Sequence, residues 1–162
     1  MLTRKAARAG KELLMLFVRD VLVRKGSQIH TARPEDTVFE AVVNMEEHRV
    51  GCVVVLDDDG RACGMITERD FLRQLAVKEL SARESNVGEI MSSPVVCARP
   101  DDTVQHCLEV MTAKRFRHMP VADDERRIVG VVSIGDLVKE IISEQRMDID
   151  QLENYIQGKY PG

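Results

Sequence analysis

Two segments of the chain place an aspartate three residues after a hydroxyl side chain. Residues 64–70 read Gly-Met-Ile-Thr-Glu-Arg-Asp, and residues 130–136 read Gly-Val-Val-Ser-Ile-Gly-Asp. The apolar residues predict the end of a strand, and a helix follows, so that hydroxyl and carboxylate lie on the same side of its first turn. A carboxylate next to a hydroxyl can accept hydrogen bonds from both hydroxyls of a ribose, and a helix N-terminus favours a phosphate.

The same two pairs have a purely structural interpretation. Thr67 with Asp70, and Ser133 with Asp136, have the spacing of a capping box, in which each side chain bonds to the backbone of the other residue. Both interpretations stay open at this point. The occurrence of the pair twice, at equal spacing, favours a pair of equivalent ligand sites.

The remaining chemistry-bearing residues indicate binding rather than catalysis. Neither a nucleophile with a base nor a glycine-rich phosphate loop is found, which leaves an enzyme as a minor alternative. Basic residues cluster in residues 1–11 and at Arg115–His118, where they could meet phosphate groups. The net charge of -4 and the aromatic content of 4% argue against a nucleic-acid partner.

The cysteines and the N-terminus bear on the compartment. The four cysteines form no Cys-x-x-Cys pair and have apolar neighbours, so we expect buried, reduced thiols, no required metal and a cytoplasmic protein. The apolar run at residues 13–18 is too short for a secretory signal, and no run is long enough for a membrane span. We therefore expect no membrane partner.

An internal repeat organises the chain. A shift of 66 positions aligns residues 29–72 with residues 95–138 without a gap, and 14 of the 44 positions are identical. A shorter echo precedes each copy, where residues 18–22 resemble residues 87–91. Such self-similarity is typical of a duplicated structural unit.

Each unit is predicted to run strand, helix, strand, strand, helix. Short strands at residues 28–31 and 95–98 lead into helices that begin after Thr37 and Thr103, followed by a hairpin and a second helix. The fold class is therefore α+β, with two β-α-β-β-α repeats packed with pseudo-two-fold symmetry. The expected boundaries are a basic extension at 1–16, repeats at 17–80 and 81–143, and a helical tail at 144–162.

These features together resemble CBS domains, the family named after cystathionine beta-synthase. The repeat, the duplicated ending with its hydroxyl and aspartate, and the segment Arg117–Asp123 carry the resemblance over about residues 17–143. It implies a tandem pair, often called a Bateman module, that binds AMP, ADP, ATP or NAD(H) in clefts between the repeats. Residues 48–50 also resemble the nucleotide-sensing subunit of AMP-activated protein kinase.

The resemblance implies two unequal clefts. In the first, Ser133 and Asp136 would hold the ribose and Lys25 would join the phosphate contacts. The base of that nucleotide would lie against Gln28, His30, Val50 and Val131, and its phosphates against Arg117 and His118.

In the second cleft, Thr67 and Asp70 would hold the ribose and Arg69 would be the nearest cation, because Gly51 stands where the other repeat has Arg117. Its base pocket would be lined by Met65, Pro94, Val96 and Phe116. The first cleft is therefore expected to be the better phosphate site.

The function that follows is that of a regulatory module. It would sense energy or redox state through an adenine nucleotide, form a homodimer, and act on a separate effector protein, since no effector domain is visible in the sequence. The alternative is a scaffold or dimerisation protein of the same fold whose clefts bind no ligand.

Overall fold

The computed structural model describes residues 15–157 of the 162-residue chain. Nearly all of the predicted basic extension, and the last five residues of the predicted tail, lie outside the described residues. The elements, in chain order, are α1 Val18–Lys25, β1 Thr31–Ala32, α2 Val38–His48, β2 Cys52–Leu56, β3 Ala62–Thr67, α3 Glu68–Val77, α4 Val87–Ile90, α5 Val104–Lys114, β4 His118–Ala122, β5 Ile128–Ser133 and α6 Ile134–Ile156.

The strands form two small sheets that confirm the predicted α+β fold with two related repeats. In the first sheet β1 pairs in parallel with β2, which pairs antiparallel with β3; in the second, β4 pairs antiparallel with β5. Arg61 forms an antiparallel bridge with Arg127, its own counterpart in the other repeat. A contact between equivalent residues marks the pseudo-two-fold axis.

The strand predicted at residues 95–98 is reduced to one bridge between Ala98 and Val121. In the first repeat, the Val54 N–H donates to the His30 carbonyl over 3.0 Å. The equivalent of Val54 in the second repeat is Pro120, which has no N–H to donate. The ladder therefore cannot extend along this edge as it does in the first repeat.

The core of each repeat is completed by the segment that precedes the other repeat. Val18 and Val21 of α1 are buried with the core of the second repeat, and Val87 and Ile90 of α4 with that of the first. Equivalent backbone bonds hold both segments, from Val18 N–H to the Asp102 carbonyl and from Val87 N–H to the Asp36 carbonyl. The sequence echo at 18–22 and 87–91 therefore marks two equivalent crossing segments.

A third apolar cluster joins the two sheets. Cys52, Val54 and Met65 are buried there and pack against Val95 and Val131, among others. Burial raises the pKa of the Cys52 thiol to about 11. The prediction of four buried thiols is wrong for two of them, since Cys63 is half-buried and Cys97 is exposed; both lie on segments near a sheet edge.

The predicted tail is not a separate element. A single helix, α6, starts at Ser133 as its N-cap and runs through Ile156. Within residues 15–157, none of the helices is long and apolar enough to cross a lipid bilayer.

The glycine of each duplicated segment permits a crossing segment to lie close to the sheet. A Cβ atom at Gly130 would lie 2.6 Å from Leu22 Cδ2 of α1, so the Leu22 side chain, or α1 with it, would have to move away from β5. We expect Gly130→Val to lower the free energy of unfolding by about 1–3 kcal/mol, the usual cost of overpacking. Urea denaturation followed by circular dichroism measures this.

Gly135→Ala is the matched control. A Cβ atom at Gly135 would make only an ordinary contact, 3.6 Å from Ser133 Oγ. Alanine also favours a helix over glycine, so stability should stay the same or rise. Equal stability of the Gly130→Val protein and the wild type would show that α1 is not seated on β5 in solution.

Candidate functional site

Both hydroxyl–aspartate pairs form the capping boxes that the sequence allows. The Asp70 N–H donates to Thr67 Oγ1 over 3.4 Å, and the Thr67 N–H donates to Asp70 Oδ2 over 2.8 Å. In the other repeat the Asp136 N–H donates to Ser133 Oγ over 3.1 Å, and the Ser133 N–H donates to Asp136 Oδ2 over 2.8 Å. Capping uses one carboxylate oxygen, so the second can still accept from a ligand.

The Thr67–Asp70 pair lines a cleft between the repeats with a volume of about 780 Å³. The structure collects in it ten of the residues that the sequence predicts for the two sites: Gly51, Met65, Thr67, Arg69, Asp70, Pro94, Val96, Phe116, Arg117 and His118. Their roles toward a ligand stay predictions.

Part of the cleft lining, the apolar wall, consists of apolar side chains. Met65 of β3 exchanges two backbone hydrogen bonds with Ser92, of 3.1 and 2.9 Å, which hold the segment that carries Pro94 and Val96 against the strand. Phe116, in the loop between α5 and β4, also contributes an apolar side chain to the cleft. A flat aromatic base could be placed against side chains of this kind.

Another part of the lining, the cationic wall, consists of basic side chains. Five basic side chains line the cleft, against the two carboxylates of Glu68 and Asp70: Arg69, Arg73, Lys114, Arg115 and Arg117. They come from both repeats, from α3 on one side and from the end of α5 on the other. Such an excess of positive charge in a concave site attracts anions.

Sequence reasoning missed several members of this cleft. Arg73 follows Arg69 by one helical turn, and this spacing is the signal that could have identified it. Arg115, by contrast, belongs to the basic cluster that the sequence already indicates as a possible phosphate contact; its left-handed conformation, with φ 59°, ends α5 and turns the chain toward β4. The further lining residues that were not predicted are Glu68, Ser92, Val95, Lys114 and Pro120.

Arg117 and His118 line the cleft of Thr67 and Asp70. His118 also pairs with Ser133 across β4 and β5, so the expected grouping of both residues with Ser133 and Asp136 stays a prediction. The start of β4 faces the first repeat, since a Cβ atom at Gly51 would lie 3.4 Å from His118 Nε2. The start of β4 therefore lies close to both hydroxyl–aspartate pairs.

The imidazole of His118 interacts with charged groups near both hydroxyl–aspartate pairs. Burial, and the positive charges of Lys25 and Arg117, lower the pKa of its imidazole, while Asp136 and Glu68 act in the opposite direction. The imidazole is therefore neutral at pH 7 in the free protein.

In the Ser133–Asp136 pair, the aspartate forms a salt bridge with a lysine of the same chain, Lys25. Lys25 Nζ lies 2.5 Å from Asp136 Oδ2 and donates to the Val131 carbonyl over 2.8 Å. Burial raises the pKa of the Asp136 carboxyl, but the hydrogen bonds from Lys25 and Ser133 outweigh it and leave the pKa lowered. The aspartate is thus charged and paired without a ligand.

Within residues 15–157, the extra length of α1 explains why Asp136 has a lysine partner and Asp70 does not. The helix α1 has eight residues, whereas its counterpart α4 has four. The additional turn carries Lys25 to Asp136. At the end of the shorter helix, the chain passes instead through Ser92 to Pro94 along the open cleft.

The other residues predicted for the Ser133–Asp136 site lie outside the lining of the open cleft. Gln28 is exposed, and Val50 follows the end of α2. His30 stacks on His48 with ring centroids 4.1 Å apart, and burial, then the charge of His48, lowers the pKa of His30. Across residues 15–157, no group of three or more His, Cys, Asp or Glu side chains is arranged to hold a metal ion.

Comparison with known sequences supports a duplicated domain. The sequence profile of the CBS domain matches twice, at residues 18–77 and 87–143. The chain is 36% identical over 151 residues to the mitochondrial CBS domain-containing protein CBSX3 of Arabidopsis thaliana, covering 88% of this chain and 73% of that protein. It is 35% identical over 109 residues to inosine-5'-monophosphate dehydrogenase of Methanocaldococcus jannaschii, covering 67% of this chain but 21% of that enzyme.

Solved structures share the fold. A CBS-domain containing protein of Agrobacterium tumefaciens, 38% identical, covers 76% of this chain and 98% of its own at a TM-score of 0.72. The CBS domain pair of protein MJ0100, solved in complex with 5'-methylthioadenosine and S-adenosyl-L-methionine, is 27% identical and has a TM-score of 0.71, covering 80% and 98% of the two chains. With two profile matches, a relative of 36% identity and solved pairs of the same fold, this chain belongs to the CBS domain family and carries a tandem pair of these domains.

Proposed function

We propose that the chain binds an adenine nucleotide with free phosphates in the cleft of Thr67 and Asp70, and thereby regulates another protein. The observation that carries the proposal is the presence, in one cleft of about 780 Å³, of an apolar wall, a hydroxyl–carboxylate pair and five basic side chains. These are the three kinds of group that a base, a ribose and a phosphate chain require.

The ligand class follows from the parts of the cleft. Asp70 has a carboxylate oxygen free to accept from ribose hydroxyls, and the apolar wall around Met65 and Pro94 suits an adenine ring. The MJ0100 domain pair holds adenosine compounds, which supports the same class here. A sulfonium compound would be repelled by the cationic wall, whereas AMP, ADP, ATP or NAD(H) would be attracted.

Binding can be converted into regulation because the cations come from both repeats. Arg69 and Arg73 belong to the first repeat, and Arg115 and Arg117 to the second. Phosphates between them would favour the arrangement that brings the repeats together over one that separates them. A ligand shifts a conformational equilibrium only through such a difference in affinity, and an effector protein would read that difference.

A scaffold without ligand is the second candidate, and the Lys25–Asp136 pair is the observation in its favour. An aspartate whose charge is already neutralised by a lysine has less to gain from a ribose, even though its Oδ1 makes neither of these contacts. This applies to the Ser133–Asp136 cleft only, so we expect one nucleotide per chain at the open cleft.

Isothermal titration calorimetry with AMP, ADP, ATP, NAD and NADH tests the main proposal. Asp70→Asn should weaken binding about tenfold or more, since a ribose acceptor is lost. Arg117→Ala should weaken it about tenfold to a hundredfold, since a charge-assisted phosphate contact is worth about 1.5–3 kcal/mol. Asp136→Asn is the matched control, because it alters the same capping box in the other repeat and should leave the affinity unchanged.

Absence of binding to all five compounds would refute the nucleotide proposal and leave the scaffold. Thermal shift provides an independent readout, because a ligand at about 100 times its Kd adds about 2.7 kcal/mol of stability.

Titration of the Asp136 carboxyl tests whether Lys25 pairs with it in solution. In Lys25→Met the strongest hydrogen-bond donor to this carboxylate is lost while its burial stays, so the pKa of Asp136 should rise. Carboxyl chemical shifts in NMR measure it in both proteins. An unchanged pKa would mean that Lys25 does not pair with Asp136 in solution, and the expectation of a single nucleotide per chain would fail.

The imidazole of His118 should make nucleotide binding depend on pH. Its pKa is lowered in the free protein, and an adjacent phosphate favours the charged imidazolium, so binding takes up a proton. Affinity should therefore increase as pH falls from about 7.5 to 5.5, by at most tenfold per pH unit for one proton.

Calorimetry over this range on wild type and His118→Gln isolates the effect of the imidazole, because the titration of the nucleotide's own phosphate is common to both proteins. Identical pH dependence in the two proteins would remove His118 from the phosphate site.

A further inference from the structure

The helix α6 carries a row of acidic side chains at intervals of four residues. The members of this acidic row are Asp136, Glu140, Glu144 and Asp148. Residues that are four apart lie next to each other on one face of a helix. The acidic row therefore extends without interruption from the first turn of α6 to the middle of the helix.

Two bases at the end of α1 pair with the first two acids of the row. Lys25 Nζ lies 2.5 Å from Asp136 Oδ2, and Arg24 Nη1 lies 3.0 Å from Glu140 Oε1. Glu140 is only 5% exposed, so Arg24 compensates a charge that is almost completely removed from water. Within residues 15–157, the two remaining acids of the row form no salt bridge.

The third acid of the row, Glu144, lines a groove between α1 and α6 with a volume of about 330 Å³. Asp20, Arg24 and Glu140 line it as well, so three acids and one base give the described lining a net charge of -2. The apolar side chains of the lining are Met15, Leu16 and Val23. Two of these are mostly exposed, Met15 at 56% and Val23 at 84%. Such a surface suits a segment that is both basic and apolar.

We propose that residues 1–14 of the same chain dock in this groove. The segment joins Met15, which lines the groove, and it carries four bases against one acid, for a net charge of +3. Its bases are Arg4, Lys5, Arg8 and Lys11. Leu13 and Leu14 supply apolar side chains next to the exposed apolar lining. The inference does not depend on nucleotide binding.

The direction of the chain brings the segment toward the unpaired end of the acidic row. Lys25, at the end of α1, pairs with Asp136 at the start of α6, whereas Met15, before α1, shares the groove with Glu144. The two helices therefore run in opposite directions. Residues that precede Met15 are thus placed beside the part of α6 that contains Glu144 and Asp148.

The distances allow the bases of the segment to reach these two acids. Lys11 is four residues from Met15, and an extended chain of that length spans about 13–14 Å. Asp148 follows Glu144 by about 6 Å along the helix. Lys11 can therefore reach either carboxylate, and the bases that precede it can reach further along α6.

The covalent connection favours docking within one chain. A tether at Met15 keeps the segment at a local concentration on the order of millimolar beside the groove. A second copy of the chain reaches such a concentration only in very concentrated solution. The groove and the segment of one chain should therefore associate with each other.

Backbone amide order parameters, measured by NMR relaxation on the full chain, test the docking. In the wild type, residues 8–14 should have values near the rigid limit of about 0.85. The double variant Glu144→Gln, Asp148→Asn removes both charges with little change in side-chain shape. Its values for residues 8–14 should fall below about 0.6, the range of flexible backbone.

The double variant Asp150→Asn, Glu153→Gln is the matched control. It removes the same amount of charge from α6, but both residues are exposed and lie on the other side of the helix from Glu144. Its order parameters for residues 8–14 should equal those of the wild type. Unchanged amide spectra of the β-strands verify that both double variants keep the fold.

Contacts with Val23 identify the place of docking. Because Val23 is 84% exposed, its methyl groups should show nuclear Overhauser effects to Leu13 or Leu14 only when the segment occupies the groove. A mixture of isotope-labelled and unlabelled protein distinguishes contacts within one chain from contacts between two copies.

Three results would overturn the proposal. The first is a set of order parameters below about 0.6 for residues 8–14 in the wild type. The second is a rigid segment that keeps its order parameters when Glu144 and Asp148 are neutralised and that shows no contact with Val23. The third is contacts with Val23 that connect only a labelled copy with an unlabelled one, since the segment would then occupy the groove of a second copy.

Discussion

The exchange of crossing segments between the two repeats is the interaction on which the structure depends. The helix α1 completes the core of the second repeat, and α4 completes that of the first. Each repeat therefore needs the chain of the other to exclude water from its apolar residues. The open cleft lies where the segment after α4 meets the end of β3, so its shape is fixed by the same packing that stabilises the fold.

Much of the fold is predictable because it follows from local patterns repeated twice. The hairpins and the helices after Thr37 and Thr103 follow from apolar periodicity and capping residues. The second short strand fails as a prediction because a single proline, Pro120, removes one donor from the neighbouring strand. The packing of α1 on the more distant repeat was also missed, since a sequence echo shows that two segments are equivalent but not which core each one enters.

The candidate site likewise contains residues that the sequence predicts and residues that it does not. The repeat identifies Thr67 and Asp70, with Ser133 and Asp136, because their spacing is preserved exactly where strands become helices. It cannot tell on which side of the symmetry axis a side chain lies, and it did not indicate that Arg117 and His118 also line the cleft of Thr67 and Asp70. Arg73 and Lys114 line the same cleft only because the two repeats stack. A local sequence pattern does not show how the repeats stack.

The continuity of α6 has a mechanical consequence. This helix begins directly after its N-cap Ser133, at the end of β5, and its 23 residues continue without interruption to Ile156. At about 1.5 Å per residue it is a lever of about 35 Å, and a tilt of about 10° at its base would displace its far end by about 6 Å. A small tilt at the Ser133 end of α6 therefore produces a large displacement at its Ile156 end.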